Sequence, residues 1–183
     1  MEKLQAGTIL IADPFLKDPN FLRSTVFLCN HTNEGSIGFV INRKTEFLMC
    51  DLFPELKECD LPVFYGGPVQ NDTIHFLHRC PGLITGGEKI IDDIFWGGEF
   101  EDLISLLKKK GIDENDVQIF LGYSGWSQGQ LEEEIAAKSW LTTFGTSELV
   151  FKTNESLIWA NALRQLGGKY EQLINYPTDP QLN

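Results

Sequence analysis

Residues 119–140 read IFLGYSGWSQGQLEEEIAAKSW, and the rest of the chain is organised around this stretch. The apolar run at residues 117–121 is rich in β-branched and aromatic side chains, which is typical of a strand covered on both faces. Gly122 and Gly125 then allow backbone conformations that a side chain would penalise. The pattern therefore predicts a strand that ends in a tight turn at these glycines.

A helix is predicted directly after this turn. Ser127 and Gln130 have the spacing of a capping box, in which each side chain hydrogen-bonds a backbone N–H that the first helical turn leaves free. The helix is therefore expected to begin near Gln128. Leu131 and Ile135 define its buried side, since residues four apart share one face.

Three consecutive acids at residues 132–134 lie on this predicted helix. They cannot act together as one acidic site, because successive helical residues point about 100° apart. Glu134 lies one turn before Lys138, in the favourable order for an ion pair. The three acids therefore predict a solvated face that carries a salt bridge.

Length and composition predict one globular domain. The chain has 183 residues, 42% of them hydrophobic and 22% charged, which is ordinary for a soluble protein with one substantial core. We assign residues 1–175 to a single α+β domain and residues 176–183 to a loose C-terminal tail, because Pro177 and Pro180 interrupt the last residues.

The charge balance disfavours nucleic acid and anionic membranes as partners. The chain has 26 acidic and 15 basic residues, a net charge of −11 and a pI of about 4.6. Its basic cluster, at residues 108–110, falls at the predicted C-terminus of a helix, where cations complement the helix dipole. The cluster therefore has a structural explanation.

The N-terminal residues indicate a cytoplasmic protein. The apolar run at residues 8–12 is too short for the core of a signal peptide or for a membrane span. The cysteines are then expected to be reduced thiols, and none of them forms a Cys-x-x-Cys pair. We expect no metal and no cofactor. The four cysteines are Cys29, Cys50, Cys59 and Cys80.

The remaining elements follow from hydrophobic periodicity and turn residues. Hairpins are expected between residues 26–29 and 37–41, and between residues 63–65 and 74–78 through the turn at residues 66–69. Because hairpins dominate the first half and helices mix with strands in the second, the fold class is α+β. Further strands are predicted at residues 8–12, 90–95 and 148–152, and further helices at residues 99–110 and 155–166.

Ser124 is the candidate nucleophile, since a serine on a glycine-flanked turn resembles the elbow of α/β-hydrolases. Two features oppose this interpretation. The elbow needs a glycine two residues later, where this chain has Trp126, and all three histidines precede Ser124 in the chain. The alternative is a hydroxyl that hydrogen-bonds the backbone. His75 and His78 lie three apart on a predicted strand, so they face opposite sides and cannot share a metal.

A concentration of polar and aromatic residues remains, and it is the candidate binding surface. A helix N-terminus after two glycines could accept an anion. The alternatives are that Ser127 and Gln130 already use its donors and that Trp126 fills the core. No catalytic residue is assigned. The residues assigned to ligand or partner binding are Asn42, Arg43, Ser124, Trp126, Gln130 and Glu134, and Trp140 lies in the same concentration.

With these motifs the chain resembles the YqgE/AlgH family of bacterial proteins, over nearly its whole length and in order. The motifs are GTILIA at residues 7–12 with Asp13-Pro14, FLRSTV at 21–26, GFVINR at 38–43, GGPV at 66–69, and GYSGWSQGQLEEEI at 122–135 with Trp140. The last motif is the most specific. The resemblance implies an α+β domain with a mostly antiparallel, bifurcated sheet that curls into a pseudo-barrel flanked by helices.

The resemblance implies little about activity. Names within the family refer to transcriptional regulation, but no catalytic site comes with the family. Where the family often has Ala and Gly around the tryptophan, this chain has Ser124 and Ser127, which weakens a nucleophilic role for Ser124 as a family property.

Three functions are therefore carried forward. The first is a non-enzymatic module that binds a small ligand or a protein partner, the second is a hydrolase using Ser124, and the third is a regulator that contacts DNA directly.

Overall fold

The structure, a computed structural model, describes residues 4–176. This part of the chain forms one curled sheet of ten strands, with helices α1 to α4 between some of the strands or after the last one. The strands are β1 (Thr8–Ala12), β2 (Thr25–Thr32), β3 (Gly35–Val40), β4 (Lys44–Leu48), β5 (Pro62–Tyr65), β6 (Val69–His78), β7 (Glu88–Ile91), β8 (Ile94–Trp96), β9 (Val117–Ser127) and β10 (Trp140–Phe144). The helices are α1 (Met49–Leu52), α2 (Phe100–Lys108), α3 (Gln130–Ala136) and α4 (Glu155–Leu166).

Across the described residues, the strands form one sheet in the order β10-β1-β2-β3-β9-β6-β8-β7, with β5 and β4 branching from β9. The pairs are antiparallel except β5 with β9, which is parallel. The prediction of an α+β fold with a mostly antiparallel, bifurcated and curled sheet flanked by helices is confirmed.

Strand β9 is shared by the two branches of the sheet. Its first part pairs with β5 on one side, from Ile119 to Leu121, and with β6 on the other, up to Tyr123. From Ser124 onward it pairs with β3 instead. Gly122, at φ 65°, marks the change of direction between the two parts. The sheet therefore divides within β9, at this glycine.

The predicted turn within this stretch is wrong for the same reason. The strand expected to end near Leu121 continues through Trp126 to Ser127, because Gly122 bends the strand without ending it. Helix α3 starts at Gln130, two residues later than predicted, after Gly129 with φ 76°.

The predicted hairpin between β5 and β6 is also wrong, because β9 lies between these strands. The connection at residues 66–68 crosses over β9 from one side to the other. Gly66 N–H donates to Leu121 O at 2.8 Å, and a Cβ on Gly67 would overlap the backbone nitrogen of Ser124. The two glycines therefore permit a backbone crossing.

Two smaller predictions need correction, and two strands were missed. Residues 148–152 form a helical turn instead of a strand, in which Val150 N–H donates to Thr146 O at 3.0 Å and Leu149 N–H to the Thr146 hydroxyl at 3.1 Å. The predicted strand at residues 90–95 is a hairpin of β7 and β8, turned at Asp92 with φ 41°. Strands β4 and β10 were not predicted.

Side chains on opposite faces of the sheet pack into separate hydrophobic cores. Ile9 and Ile11 of β1 face the core under α4, whereas Leu10 and Ala12 face the core that holds Trp126. A further core packs α2 against β5, β6 and the start of β9. Strand β1 is consequently buried on both faces, as its uninterrupted apolar run predicts.

The predicted loose tail at residues 176–183 falls almost entirely outside the described residues, which end at Tyr176. The ring of Tyr176 packs edge-on against Phe15, with the ring centroids 5.0 Å apart. Within residues 4–176, no helix has both the length and the apolar character that a membrane span requires.

Candidate functional site

Two tryptophans of the candidate surface share one acceptor, the carboxylate of Glu134. Trp126 Nε1–H donates to Glu134 Oε2 at 2.9 Å, and Trp140 Nε1–H donates to the same oxygen at 2.7 Å. Both indoles are buried, with 5% and 2% of their surface exposed, and their rings meet edge to face at 6.0 Å. Trp126 therefore fills a core, which was the alternative to a binding role.

The other oxygen of Glu134 is also occupied. Gln130 Nε2–H donates to Glu134 Oε1 at 2.9 Å, one turn back along α3. The predicted ion pair of Glu134 with Lys138 is not among the salt bridges of the described residues, because the carboxylate is turned toward the indoles. The spacing of Gln130 and Glu134 was visible in the sequence, but the two indoles that donate to Glu134 were not.

Half of the predicted capping box forms. Ser127 N–H donates to Gln130 Oε1 at 3.0 Å, whereas the N-cap residue is Gly129, which has no side chain to cap the helix. One amide of the strand end is therefore already satisfied by Gln130.

Asn42 and Arg43 hold the loop between β1 and β2. Asn42 accepts from Thr25 N–H at 2.8 Å and donates to the carbonyl of Arg23 at 2.9 Å. The Arg43 guanidinium donates to the carbonyl of Asn20 at 2.8 Å. These contacts fix the loop.

The same loop reaches the tryptophan pair. Phe21 stacks on Trp126 at 6.2 Å and meets Trp140 edge to face at 5.2 Å. The structure thus links all the predicted residues except Ser124 through this loop and helix α3, with their polar groups largely paired within the chain.

Ser124 is fully buried, and its hydroxyl donates to the carbonyl of Gly66 at 3.0 Å. This bond ties β9 to the crossing connection. A nucleophile needs access to substrate and a base within hydrogen-bond reach. The observed hydroxyl is shielded and donates to backbone, which agrees with the structural alternative for this residue.

The histidines occupy separate places. His75 packs against Phe39 and Tyr123, on the side of the sheet that faces α4, while His78 packs on Phe76, on the side that faces α2. Burial lowers the pKa of both imidazoles. Within residues 4–176, no group of three His, Cys, Asp or Glu side chains is placed to hold a metal ion.

His31 links Ser36 to Glu132 in a relay of polar contacts that the sequence did not predict. Its Nδ1 lies 2.8 Å from the Ser36 hydroxyl, and its Nε2 lies 3.7 Å from Glu132. His31 and Ser36 are directly paired across β2 and β3, so their contact follows from the register. Ser36 is 5% exposed, and the relay joins α3 to this hairpin.

A groove of about 550 Å³ opens on the other face of the same strands. Tyr123, Gly125 and Ser127 of β9 form its centre, because alternate residues of a strand share one face. A Cβ on Gly125 would lie 3.1 Å from the Tyr123 ring, so the glycine makes room for that ring. The remaining lining residues are Asn30, Thr32, Glu34, Gly35, Ser36, Ile37, Val69 and Trp126.

Two of the basic side chains considered as a nucleic-acid surface are paired with acids. Lys110 Nζ lies 3.1 Å from Glu58, and Lys108 Nζ lies 3.9 Å from Glu55. Exposed pairs of this kind contribute little stability, but they reduce the local positive field.

A family model and the sequences of known proteins identify the same family. A model of the AlgH-like family matches residues 9–171. A UPF0301 protein from Chlorobaculum tepidum is 42% identical over 182 residues, covering 100% of this chain and 97% of the relative. A UPF0301 protein from Cytophaga hutchinsonii is 40% identical over 181 residues, covering 98% of this chain and 100% of the relative.

Solved structures agree. The solution structure of the AlgH protein from Pseudomonas aeruginosa has a TM-score of 0.75 at 25% identity, covering 97% of this chain and 98% of that one. A crystal structure of a protein from Corynebacterium diphtheriae, at 15% identity, shares the fold with a TM-score of 0.78, over 96% of this chain and 94% of that one. On these sequence and structural matches, the chain belongs to the AlgH-like family.

Proposed function

We propose that this protein is a non-enzymatic cytoplasmic binding module with a regulatory role, and that its ligand occupies the groove around Tyr123 and Gly125. The observation that carries the proposal is the groove itself, whose volume of about 550 Å³ lies within the range of small-ligand sites.

The composition of the groove supports binding without turnover. Ile37, Val69 and the Tyr123 ring supply apolar surface, while Asn30 and Thr32 supply hydrogen-bonding groups. Glu34 is the single charged residue among the described lining residues, and no histidine, cysteine or lysine accompanies it there. The Ser36 hydroxyl contacts His31 on the opposite face of the strands and is only 5% exposed, so this serine–histidine pair does not face the groove.

The site assigned from sequence and the groove meet at Trp126, the one residue of that assignment that also lines the groove. Two of the other assigned residues, Glu134 and Gln130, support this part of β9 from the face opposite the groove. Glu134 holds the indole of Trp126, and Gln130 holds both Glu134 and the end of β9. In this proposal they are positioning residues for the groove.

A thermal-shift screen of free amino acids, nucleotides and acetylated di- and tripeptides tests the proposal. A compound that occupies the groove raises the melting temperature, because it binds the folded state alone. In Ile37→Trp, which fills the groove, the shift disappears. Leu157→Trp, at a half-exposed position of α4 outside the lining, retains the shift. If every compound that stabilises the protein still does so in Ile37→Trp, the groove is not the binding site, and a screen without any stabilising compound contradicts the proposal.

The hydrolase alternative has its own test, a panel of p-nitrophenyl esters. Because the Ser124 hydroxyl is buried and bonded to Gly66 O, we expect no turnover that depends on it. Ester hydrolysis that is present in the purified protein and lost in Ser124→Ala would favour the enzyme instead.

Direct DNA contact is the third function, and the charge of −11 disfavours it. Electrophoretic retardation of random-sequence duplex DNA at 150 mM salt is therefore not expected. Retardation that persists at this salt concentration would show that the protein binds DNA despite its net negative charge.

A further inference from the structure

Within residues 4–176, the edge of β9 beside the groove has no partner strand. On the β6 side, the pairing of β9 stops at Tyr123, which is opposite Val69. The chain before Val69 then crosses β9 toward β5 instead of continuing along the edge. For Gly125 and Ser127, the registers of the described strands give a partner on the β3 side alone.

Backbone groups identify the open position as Gly125. Along a strand, the N–H and C=O of successive residues point to alternate sides. Ser127 N–H donates to Gln130 Oε1, so this amide points away from β3. Two residues earlier, Gly125 presents its own N–H and C=O to the same open side.

The neighbouring positions close this edge on both sides. Val69 occupies the position before Gly125, and the Gln130 side chain occupies the N–H of the position after it. Among the residues that the structure describes, one position of this edge therefore remains with a donor and an acceptor in the pattern of a β-ladder. Gly125 is exposed, so another backbone can approach this edge.

The charge at this edge selects the partner. Glu34 is exposed and lines the groove next to the Gly35–Ser127 pair, and the chain as a whole carries −11. An extended segment with alternating side chains places every second residue in the groove, where Ile37 and Val69 are apolar. The Glu34 carboxylate favours lysine or arginine among the flanking residues.

We propose that an extended, lysine- or arginine-bearing segment of a partner protein adds as a short strand at Gly125, exchanging two backbone hydrogen bonds with it beside the groove. This inference rests on the proposed binding function and names the class of ligand.

The test uses the full chain labelled with ¹⁵N and the peptide acetyl-Lys-Val-Lys-Val-Lys-amide. Titration shifts the Gly125 amide resonance, because its N–H gains an acceptor. Two backbone-methylated copies of the peptide are then compared with the unmodified one. In one copy both valine nitrogens are methylated, and in the other the three lysine backbone nitrogens are methylated. A strand presents alternate N–H groups to its neighbour, so one copy loses about fivefold to tenfold in affinity and the other retains it.

Charge is tested separately. Glu34→Gln weakens binding about twofold to fivefold, in the range of an exposed charge pair. Glu58→Gln, which removes an exposed acid that is paired with Lys110 and lies outside the groove lining, leaves the affinity unchanged. Equal effects of the two substitutions contradict the role of Glu34.

The proposal is overturned if the peptide fails to shift the Gly125 resonance, or if both methylated copies bind with equal affinity, whether retained or lost. This failure is distinct from failure of the binding function. If a small compound stabilises the protein but not Ile37→Trp, the groove remains the binding site, and only the peptide segment is ruled out as its ligand.

Discussion

At the scale of single residues, one carboxylate sets the positions of two buried indoles. Glu134 accepts Nε1–H from Trp126 and from Trp140, while Gln130 donates to its second oxygen. Burial of an indole leaves its N–H without water, and each N–H therefore needs an acceptor. Glu134 supplies that acceptor from helix α3 and joins the helix to β9 and β10.

Glu134→Ala leaves two buried donors unsatisfied, so we expect it to destabilise the fold by about 2–4 kcal/mol. Glu133 is its neighbour on α3 and is exposed, so Glu133→Ala is the matched control, expected within about 0.5 kcal/mol of the unsubstituted protein. Urea denaturation followed by tryptophan fluorescence measures both. Equal midpoints for the two variants would show that the indoles find other acceptors.

The burial of Trp126 could be proposed from the sequence, but its hydrogen-bond partner could not. Gln130 and Glu134 stand four apart on a helix, which makes their contact a local property. The contacts with Trp126 and Trp140 depend on where α3 crosses the sheet. The same reason explains the wrong ion pair with Lys138, since a local rule cannot weigh a tertiary competitor.

At the scale of elements, the crossing of residues 66–68 over β9 decides how the sheet divides. Strands β5 and β6 lie on either side of β9, about 10 Å apart, since neighbouring strands are about 4.8 Å apart. Three extended residues can span that distance. A double glycine before a proline serves a hairpin or a crossing equally well, so the sequence could not distinguish them.

Other elements were predictable to the degree that local pattern determined them. Helix α2 has a continuous apolar stripe and charges that suit its dipole, and its prediction is confirmed within two residues at each end. The run Leu149-Val150-Phe151 favours a strand by composition, but the Thr146 hydroxyl and carbonyl hold the chain in a helical turn. Burial of Leu149 and Val150 stabilises that turn against the local preference.

Gly67→Ala tests the crossing. A Cβ at Gly67 would overlap the backbone of Tyr123 and Ser124 and would also strain a φ of 152°, so we expect a loss of about 3 kcal/mol or more. Gly82 has φ 84° with nothing within 4 Å of the added Cβ, so Gly82→Ala isolates the backbone strain, at about 1 kcal/mol. Chemical denaturation measures both. Similar losses in the two variants would mean that the crossing tolerates a side chain.

At the scale of the whole molecule, the branches of the sheet are expected to unfold together. The cores on either side of β1 are both built on this strand, and β9 contributes Val117 and Ile119 to one core and Trp126 to another. A protein whose central strand belongs to several cores is expected to melt in one transition. A change in the protonation of a buried group in any one core should then change the stability of the whole protein.

His78 is such a group, because it is fully buried and both ring nitrogens are used. Its Nδ1 accepts from Cys80 N–H at 3.2 Å, so its Nε2–H donates to Gly97 O at 3.1 Å. Protonation at Nδ1 would place two donors against each other. Burial lowers the pKa of this imidazole in the folded state, so the neutral form is favoured there.

Because the folded pKa of His78 lies below the unfolded value of about 6.5, the unfolded chain binds more protons once the pH falls below that value. His75 acts in the same direction. We therefore expect the melting temperature to fall between pH 7.5 and pH 5.5. His78→Gln, which cannot titrate, should show a shallower fall over the same interval, measured by scanning calorimetry in matched ionic strength. Parallel profiles for the two proteins would show that His78 does not couple protonation to folding.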